Sequence, residues 1–436
     1  MNVDEEVDVA ILGGGVAGLS AAWRLAEQGR TAVVFEAADV AGGLLAGFEV
    51  DGFRFDNGVH LSFASEPEVR AVFDRTPTID HKAESFCWDA GCWLKHPVQN
   101  NLYPLPASEK AELIAGLIAQ EEREPANYED WLIGQYGEPI ARRWPIAYTE
   151  KYWTVPARTL GTDWIGKRMR KADAKEVLFG AMTAETPSTY YISEMRYPRQ
   201  GGYGAFVSPL AEAADVRTGH KVVGVDLDAR IVTFANGRTV RFRALVSTLP
   251  LPALTAMTAG VPDNLRAAAE TLFASRVDLV SIGLRTTEVA PSVWFYIYDP
   301  QVFAARVYSP SMKSPNNAPA GCGSLQFEIY SSARNPNPHS VEDMKENCLQ
   351  ALETMGLARR EDVVLVHHKH VPYANVVFDL GMEERRDRIR DWFRDHDVHL
   401  AGRFGEWAYL WSNQAFMSGR AAADAVAASG ADATAG

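Results

Sequence analysis

The sequence is short of several things, and each shortage excludes a class of protein. Only four cysteines occur in 436 residues (Cys87, Cys92, Cys322 and Cys348), and none forms a Cys-x-x-Cys pair. This argues against a zinc ribbon or a disulfide-stapled scaffold and points to reduced thiols in a cytoplasmic protein. No run approaches the roughly eighteen uncharged apolar residues of a membrane span, so no membrane partner is expected. The first residues are acidic and enter a strand at once, unlike a secretory leader. Positive charge is also scarce: 43 Lys and Arg stand against 56 Asp and Glu, a net charge of -13. Such a surface disfavours nucleic acid, and any anionic ligand must meet a local concentration of arginine. No metal site is expected, and the sequence leaves the oligomeric state open.

What is present is ordinary globular composition, 47% hydrophobic and 23% charged, in a chain long enough for two or three domains. Residues 7–12 form an apolar run, followed by a glycine turn, a helical pattern over 19–28 and a second apolar run over 31–35. From 108 to about 182 the pattern is helical and rich in Trp and Arg. From about 221 apolar and polar residues alternate, with Asn236-Gly237 as a hairpin turn. Strand-like segments continue over 277–285, 294–298 and 324–330, and helical periodicity returns over 341–355. A glycine-rich stretch at 401–405 leads to a last helix near 419–428.

The first turn carries the chemistry. Gly13-Gly14-Gly15-Val16-Ala17-Gly18 follows the first strand. Gly13 permits a tight turn, Gly15 lets backbone approach a pyrophosphate, and Gly18 lets the helix pack closely on the strand. The helix N-terminus then points its free N–H groups at phosphates. Glu36 closes the second strand, where a carboxylate can bond a ribose diol. Six residues later a second pair, Gly42-Gly43, followed by Leu44, lets chain run close along an extended cofactor. Strand, glycines, helix, strand and acid in register identify an FAD site. The expected fold is α/β: a Rossmann-type FAD-binding domain with an inserted helical domain and an antiparallel β-sheet domain. The expected segments are 1–80, 191–250 and 381–436 for the FAD-binding domain, 81–190 for the helical insertion and 251–380 for the sheet.

Several further motifs share one origin. Trp93-Leu94-Lys95-His96-Pro97-Val98-Gln99-Asn100-Asn101, Lys151-Tyr152-Trp153-Thr154-Val155-Pro156, Trp164-Ile165-Gly166-Lys167-Arg168 and Gly402-Arg403-Phe404-Gly405-Glu406-Trp407-Ala408-Tyr409, with Asn413-Gln414, resemble the UDP-galactopyranose mutase family, most nearly its eukaryotic type. The resemblance implies a flavin-dependent isomerase that interconverts pyranose and furanose forms of a nucleoside-diphosphate sugar. In that family reduced FAD attacks the anomeric carbon through N5, and an external reductant such as NAD(P)H supplies the electrons. It implies catalytic roles for His60, Arg168 and Arg306. It implies substrate contacts from Gln99, Asn100, Trp153, Tyr296, Tyr373, Tyr409 and Asn413. Gly58, Val222, Arg403 and Gln414 join Gly13, Gly15, Ala17, Gly18, Glu36, Gly42, Gly43 and Leu44 around the cofactor. A diphosphate needs a guanidinium fork and phenolic donors, which this set supplies.

The chain also departs from that family. Val98 stands where the family stacks an aromatic on uracil, His96 replaces a neighbouring tyrosine, and Ile192 replaces an asparagine. The Asn-Tyr-Ser-Pro after the diphosphate arginine is replaced by Ser309-Pro310-Ser311-Met312-Lys313. Diphosphate contacts survive while base contacts do not, which opens the choice of base to thymine, cytosine or a purine unless another ring compensates. An FAD oxidase or desaturase of the amine-oxidase and protoporphyrinogen-oxidase type is the alternative, since it shares the Rossmann half but needs no paired arginines.

Overall fold

The computed structural model describes residues 3–120, 124–166, 169, 173–187 and 194–432. Two seven-stranded sheets organise it. In the first, strand Glu5–Leu12 lies between Thr239–Ser247 and Ala32–Phe35 and is parallel to both. Asp215–Arg217 extends the parallel set beyond Ala32–Phe35, and Val398–Leu400 pairs in parallel with Thr239–Ser247. Val9, Ile11 and Leu12 are fully buried, as expected of a parallel strand covered on both faces. The hairpin around Asn236-Gly237 forms, with Gly237 at φ +85°. Its second strand then leaves the antiparallel meander to become a central parallel strand.

Helix Val16–Glu27 packs on the closing helix Ser412–Asp432. The closing helix starts earlier than the sequence suggests. Gly419 is not its beginning but its contact point: a Cβ there would lie 2.0 Å from the Ala17 carbonyl oxygen and 2.3 Å from Ser20 Oγ. Ser20 Oγ donates to the Phe416 carbonyl at 2.6 Å across the same contact. Glycine lowers helix propensity, so a close-packing glycine inside a helix looks like a boundary in the sequence.

The second sheet runs Val363–Val371, Ser275–Leu284, Gly323–Ser332, Arg306–Tyr308, Trp294–Ile297, Phe86–Asp89, Cys92–Lys95. It is antiparallel except where Trp294–Ile297 meets Phe86–Asp89. The hairpin of Phe86–Asp89 and Cys92–Lys95 belongs to this sheet although it precedes the helices, so the 81–190 segment is not helical throughout. Strand Val363–Val371, with its His-His-Lys-His run, escaped the sequence pattern because an edge strand need not alternate cleanly. Helix Met382–Asp395 escaped too, its charged residues leaving only Met382, Ile389 and Phe393 as buried anchors.

Between the sheets sit helices Ala107–Ile118, Tyr128–Tyr136 and Ala147–Trp153, preceded by a wide π-type turn, Arg142–Ile146, with Pro145 inside it. Proline has no N–H to continue the i→i−4 ladder, and the turn widens around it. Arg143 and the Trp144 indole both donate to Asp89 Oδ2 at 3.0 Å, fastening this turn to the hairpin of the second sheet. All four cysteines are free. Among the described residues no helix is long and apolar enough to cross a membrane.

The helix contact at Gly419 is tight enough to test. Gly419→Ala should destabilise the protein by about 1–3 kcal/mol, read by chemical denaturation. An unchanged unfolding midpoint would mean that the two helices separate easily.

Candidate functional site

At the end of the first strand Gly13 has φ +100°, and a Cβ there would lie 2.3 Å from Thr248 Oγ1. Gly15 is the N-cap of the first helix, and a Cβ on it would meet nothing within 4 Å. Gly18 faces inward instead, since its Cβ would lie 2.1 Å from the Gly13 carbonyl oxygen. The second glycine pair closes against the first. The Gly42 N–H donates to the Gly14 carbonyl at 2.8 Å, and a Cβ on Gly43 would stand 3.1 Å from Gly15 Cα. Gly42 and Gly43 both have positive φ, +119° and +56°, which glycine alone adopts freely. Glu36 Oε2 accepts the Gly14 N–H at 2.7 Å and Oε1 the Ala38 N–H at 2.8 Å. Each carboxylate oxygen keeps a lone pair for a ligand hydroxyl.

These groups open into one cavity of about 1320 Å³, which Gly13, Gly15, Ala17, Glu36, Gly42, Gly43, Leu44, Gly58, Val222 and Arg403 all line. A single-ligand pocket measures roughly 300–1,000 Å³, so there is room for a dinucleotide and a second ligand. The open space over Gly15, at a helix N-terminus beside a carboxylate, fits FAD. Its pyrophosphate would be held by the turn and its ribose by Glu36.

The other end of the cavity is aromatic. Trp153, Trp164 and Tyr409 line it and touch one another, with ring centroids 4.9–6.0 Å apart. Gln99, Asn100, Tyr296 and Tyr373 also line it. Lys151 supports this wall from behind. Its ammonium donates to the carbonyls of Ile297, Asp299 and Val302 at 3.1, 2.9 and 2.8 Å, and burial pushes its pKa down to about 7.

Arg306 lines the cavity with 18% of its side chain exposed. Its Nε donates to Glu328 Oε2 at 2.6 Å, and its Nη2 donates to the Tyr330 hydroxyl at 3.2 Å. Burial works against the guanidinium charge, but the Glu328 carboxylate together with Tyr330, Tyr152 and Tyr148 outweighs it and the pKa rises. Glu328 itself is fully buried and accepts the Val59 N–H at 2.7 Å. It thus connects the arginine to the loop that carries His60. No motif announced Glu328. The available signal was Gln326 and Glu328 alternating with Leu325, Phe327 and Ile329, two polar side chains where a strand is wholly buried.

His60 lines the cavity, its Nδ1 3.1 Å from the Gly58 carbonyl and its ring stacked on Tyr203 at 5.1 Å. Burial pushes its pKa down to about 4, with Lys313 and Arg403 adding to the effect and Asp56 opposing it. A neutral imidazole whose Nδ1–H donates to a carbonyl presents Nε2 as an acceptor.

Some expected residues lie elsewhere. Asn413 does not line the cavity; its Nδ2 donates to Glu66 Oε1 at 2.7 Å. Gln414 does not line it either, because its Oε1 accepts the Trp411 N–H at 2.9 Å at the start of the closing helix. At that turn Leu410, Trp411, Ser412 and Ala415 face the cavity instead. The Asn-Gln pair was matched by motif, but Gln414 turns toward its own helix N-terminus and Asn413 toward Glu66. Val98 is 2% exposed and packs in the core among the helices, while His96 lines the cavity and lies 4.8 Å from the Tyr296 ring. Burial pushes the His96 pKa down to about 4 as well. Arg168 and Ile192 lie outside the described residues.

The opening at Gly15 makes a clean test. Its φ of -73° suits any residue, so Gly15→Ala should fold normally. The added methyl occupies the space required by a pyrophosphate and should weaken flavin binding roughly tenfold or more, about 1.4 kcal/mol per factor of ten. Full flavin occupancy at unchanged affinity would place the phosphates elsewhere.

Comparison with known proteins agrees with this geometry. The sequence model for flavin containing amine oxidoreductases matches residues 16–427. A solved structure of reduced UDP-galactopyranose mutase superposes with a TM-score of 0.92 at 27% identity, over 97% of this chain and 96% of that one. Cyclohexylamine oxidase from Brevibacterium oxydans IH-35A superposes at 0.69 with 17% identity, over 97% of this chain and 99% of that one, a likeness of fold alone. Curated relatives match over short segments. The 15-cis-phytoene desaturase of Synechococcus elongatus is 42% identical over 66 residues, covering 15% of this chain and 14% of that protein. Protoporphyrinogen oxidase 2 of Arabidopsis thaliana is 39% identical over 66 residues, covering 15% of this chain and 13% of its own length. The chain belongs to the flavin containing amine oxidoreductase family, and its whole fold is similar to that of UDP-galactopyranose mutase.

Proposed function

We propose that the protein is a nucleotide-sugar mutase that interconverts pyranose and furanose forms of a nucleoside-diphosphate sugar. The observation that carries this reading is Arg306, a guanidinium held in the wall of the flavin cavity among tyrosines, in a protein whose net charge is -13. An oxidase or desaturase of apolar or amine substrates has no use for a cation there. In this reading segments 1–80, 191–250 and 381–436 bind the cofactor, and 81–190 and 251–380 supply the substrate side.

Reduced FAD, when bound, supplies the nucleophile for the anomeric carbon; the chain supplies orientation and charge. Arg306, Tyr373 and Tyr409 hold the diphosphate and stabilise it as it departs, with Arg168 as a second cation. Glu328 offsets part of the Arg306 charge, so the diphosphate is held by directed hydrogen bonds without a large charge excess that would trap it. Trp153, Trp164 and Tyr409 keep water from the reacting sugar. His60, neutral, offers Nε2 as a proton acceptor at the flavin side.

The short matches to desaturases and protoporphyrinogen oxidases favour an oxidoreductase as the second reading. Turnover separates the two. Dithionite-reduced protein incubated with a panel of UDP-, dTDP-, CDP-, ADP- and GDP-sugars should convert one of them with no net consumption of electrons. Because Val98 is withdrawn into the core, UDP should not be preferred over every other base by tenfold or more. Stoichiometric hydrogen peroxide, or equal rates with oxidised flavin, would sink the mutase reading.

Arg306 gives a sharper test. Arg306→Ala should lower kcat/KM by about a hundredfold or more. It also leaves the Glu328 carboxylate buried without a counter-charge, at about 3–5 kcal/mol. Arg306→Lys keeps a cation beside Glu328 but loses the fork. It should retain flavin and fold while kcat/KM falls about tenfold. Loss of flavin from both variants would make Arg306 a structural residue.

A further inference from the structure

Lys313 stands in the stretch that departs from the mutase pattern, and it is fully buried. Its Nζ donates to Asp56 Oδ2 at 2.8 Å, and Asp56 is fully buried too. The same Nζ lies 3.3 Å from the His60 carbonyl, to which it donates, and sits over the Tyr308 ring at 3.8 Å and the Tyr197 ring at 4.7 Å. Asp56 also receives the Tyr197 hydroxyl at 2.8 Å and the Tyr203 N–H at 3.0 Å. The Tyr203 ring in turn stacks on the His60 imidazole. Besides the Nδ1 hydrogen bond to Gly58, two restraints on His60, one on its backbone and one on its ring, therefore converge on a single ion pair.

Stability does not explain why such a pair is present. A buried ion pair is often no better than an apolar pair of similar volume, while removing one partner is strongly destabilising. What the pair does that an apolar one could not is grip a carbonyl and compensate a charge beside a titratable ring. We propose that Lys313 is a positioning residue for His60: held on Asp56, it tethers the His60 carbonyl and sets the imidazole against the flavin as a neutral acceptor. This rests on the flavin-site reading but not on mutase turnover.

Charged groups from several elements act on His60: Asp56, Lys313 and Arg403 all bear on its charge, and Glu328 holds the neighbouring Val59 N–H. Without Lys313 the Asp56 carboxylate is uncompensated and draws a proton to the imidazole, converting Nε2 from acceptor to donor. Without Asp56 the two remaining cations oppose that proton further.

Two measurements on the purified protein, neither of which uses turnover, test the proposal. The first is a double-mutant cycle on flavin affinity between His60→Ala and the paired change Asp56→Asn with Lys313→Met, which leaves no charge orphaned. In the parent, His60→Ala should weaken flavin binding about fivefold or more; in the paired background it should change affinity less than about twofold. Equal factors in the two backgrounds, or no effect of His60→Ala in the parent, would overturn the proposal. The second is the titration of the His60 imidazole by NMR, assigned by its loss in His60→Ala. Lys313→Met should raise its midpoint and Asp56→Asn should lower it, and shifts of the same sign would overturn the proposal. If the mutase reading alone is wrong, nucleotide sugars go unconverted while both of these results stand.

Discussion

The Asp56–Lys313 ion pair is the constraint on which the rest of the site depends. Two charges with no exposure to water are tolerable only when each is paired and hydrogen-bonded, and here every partner belongs to a different element of the fold. Asp56 follows the short strand Phe53–Phe55, Tyr197 lies on Glu194–Pro198, Tyr203 opens a 3₁₀ turn, and Tyr308 ends a strand of the second sheet. The Tyr308 hydroxyl donates to the Asp56 carbonyl at 3.2 Å. Satisfying Asp56, carboxylate and main chain together, therefore requires its own loop, the strand Glu194–Pro198, the turn at Tyr203 and the second sheet to arrive together. Burial alone would raise the Asp56 pKa, but Lys313 and the Tyr203 N–H hold it below the usual carboxylate range.

A second buried carboxylate, Glu328, repeats the device beside Arg306. One of its oxygens receives Val59 N–H on the cofactor loop, and the other receives Arg306 and Tyr330 on the second sheet. The cavity thus lies at a seam between a parallel sheet, which contributes backbone N–H groups and glycines, and an antiparallel sheet, which contributes charged and phenolic side chains. Helices Tyr128–Tyr136 and Ala147–Trp153 close the seam with aromatic surface. Backbone N–H groups suit a dinucleotide, and the second sheet adds side-chain cations and phenols to the same cavity.

Much of this was readable in advance where local rules govern. The glycine turn, Glu36 and the second glycine pair were legible because each residue is required by a local backbone conformation or a fixed offset from a strand. Arg306, Tyr373 and Tyr409 were legible only as matches to family motifs, and they do line the cavity. Asn413 and Gln414 were matched equally well, yet Asn413 bonds Glu66 and Gln414 its own helix start, because a motif records residue order and not the direction in which a helix turns its side chains. Val98 was expected to leave the base without a stacking partner; it lies in the core, and His96 beside Tyr296 lines the cavity.

By itself the sequence determined the βαβ unit, the cofactor it accepts and the alternation of strands and helices, since these follow from periodicity and from conformations that only glycine adopts. The tertiary structure alone decided that Glu328 meets Arg306, that Lys313 meets Asp56, and that a hairpin before the helices joins the second sheet. Those contacts link residues 22, 257 and some two hundred positions apart. No local propensity encodes them: they exist because a buried charge must find its partner, and the partner is supplied only when the two sheets close on one cavity.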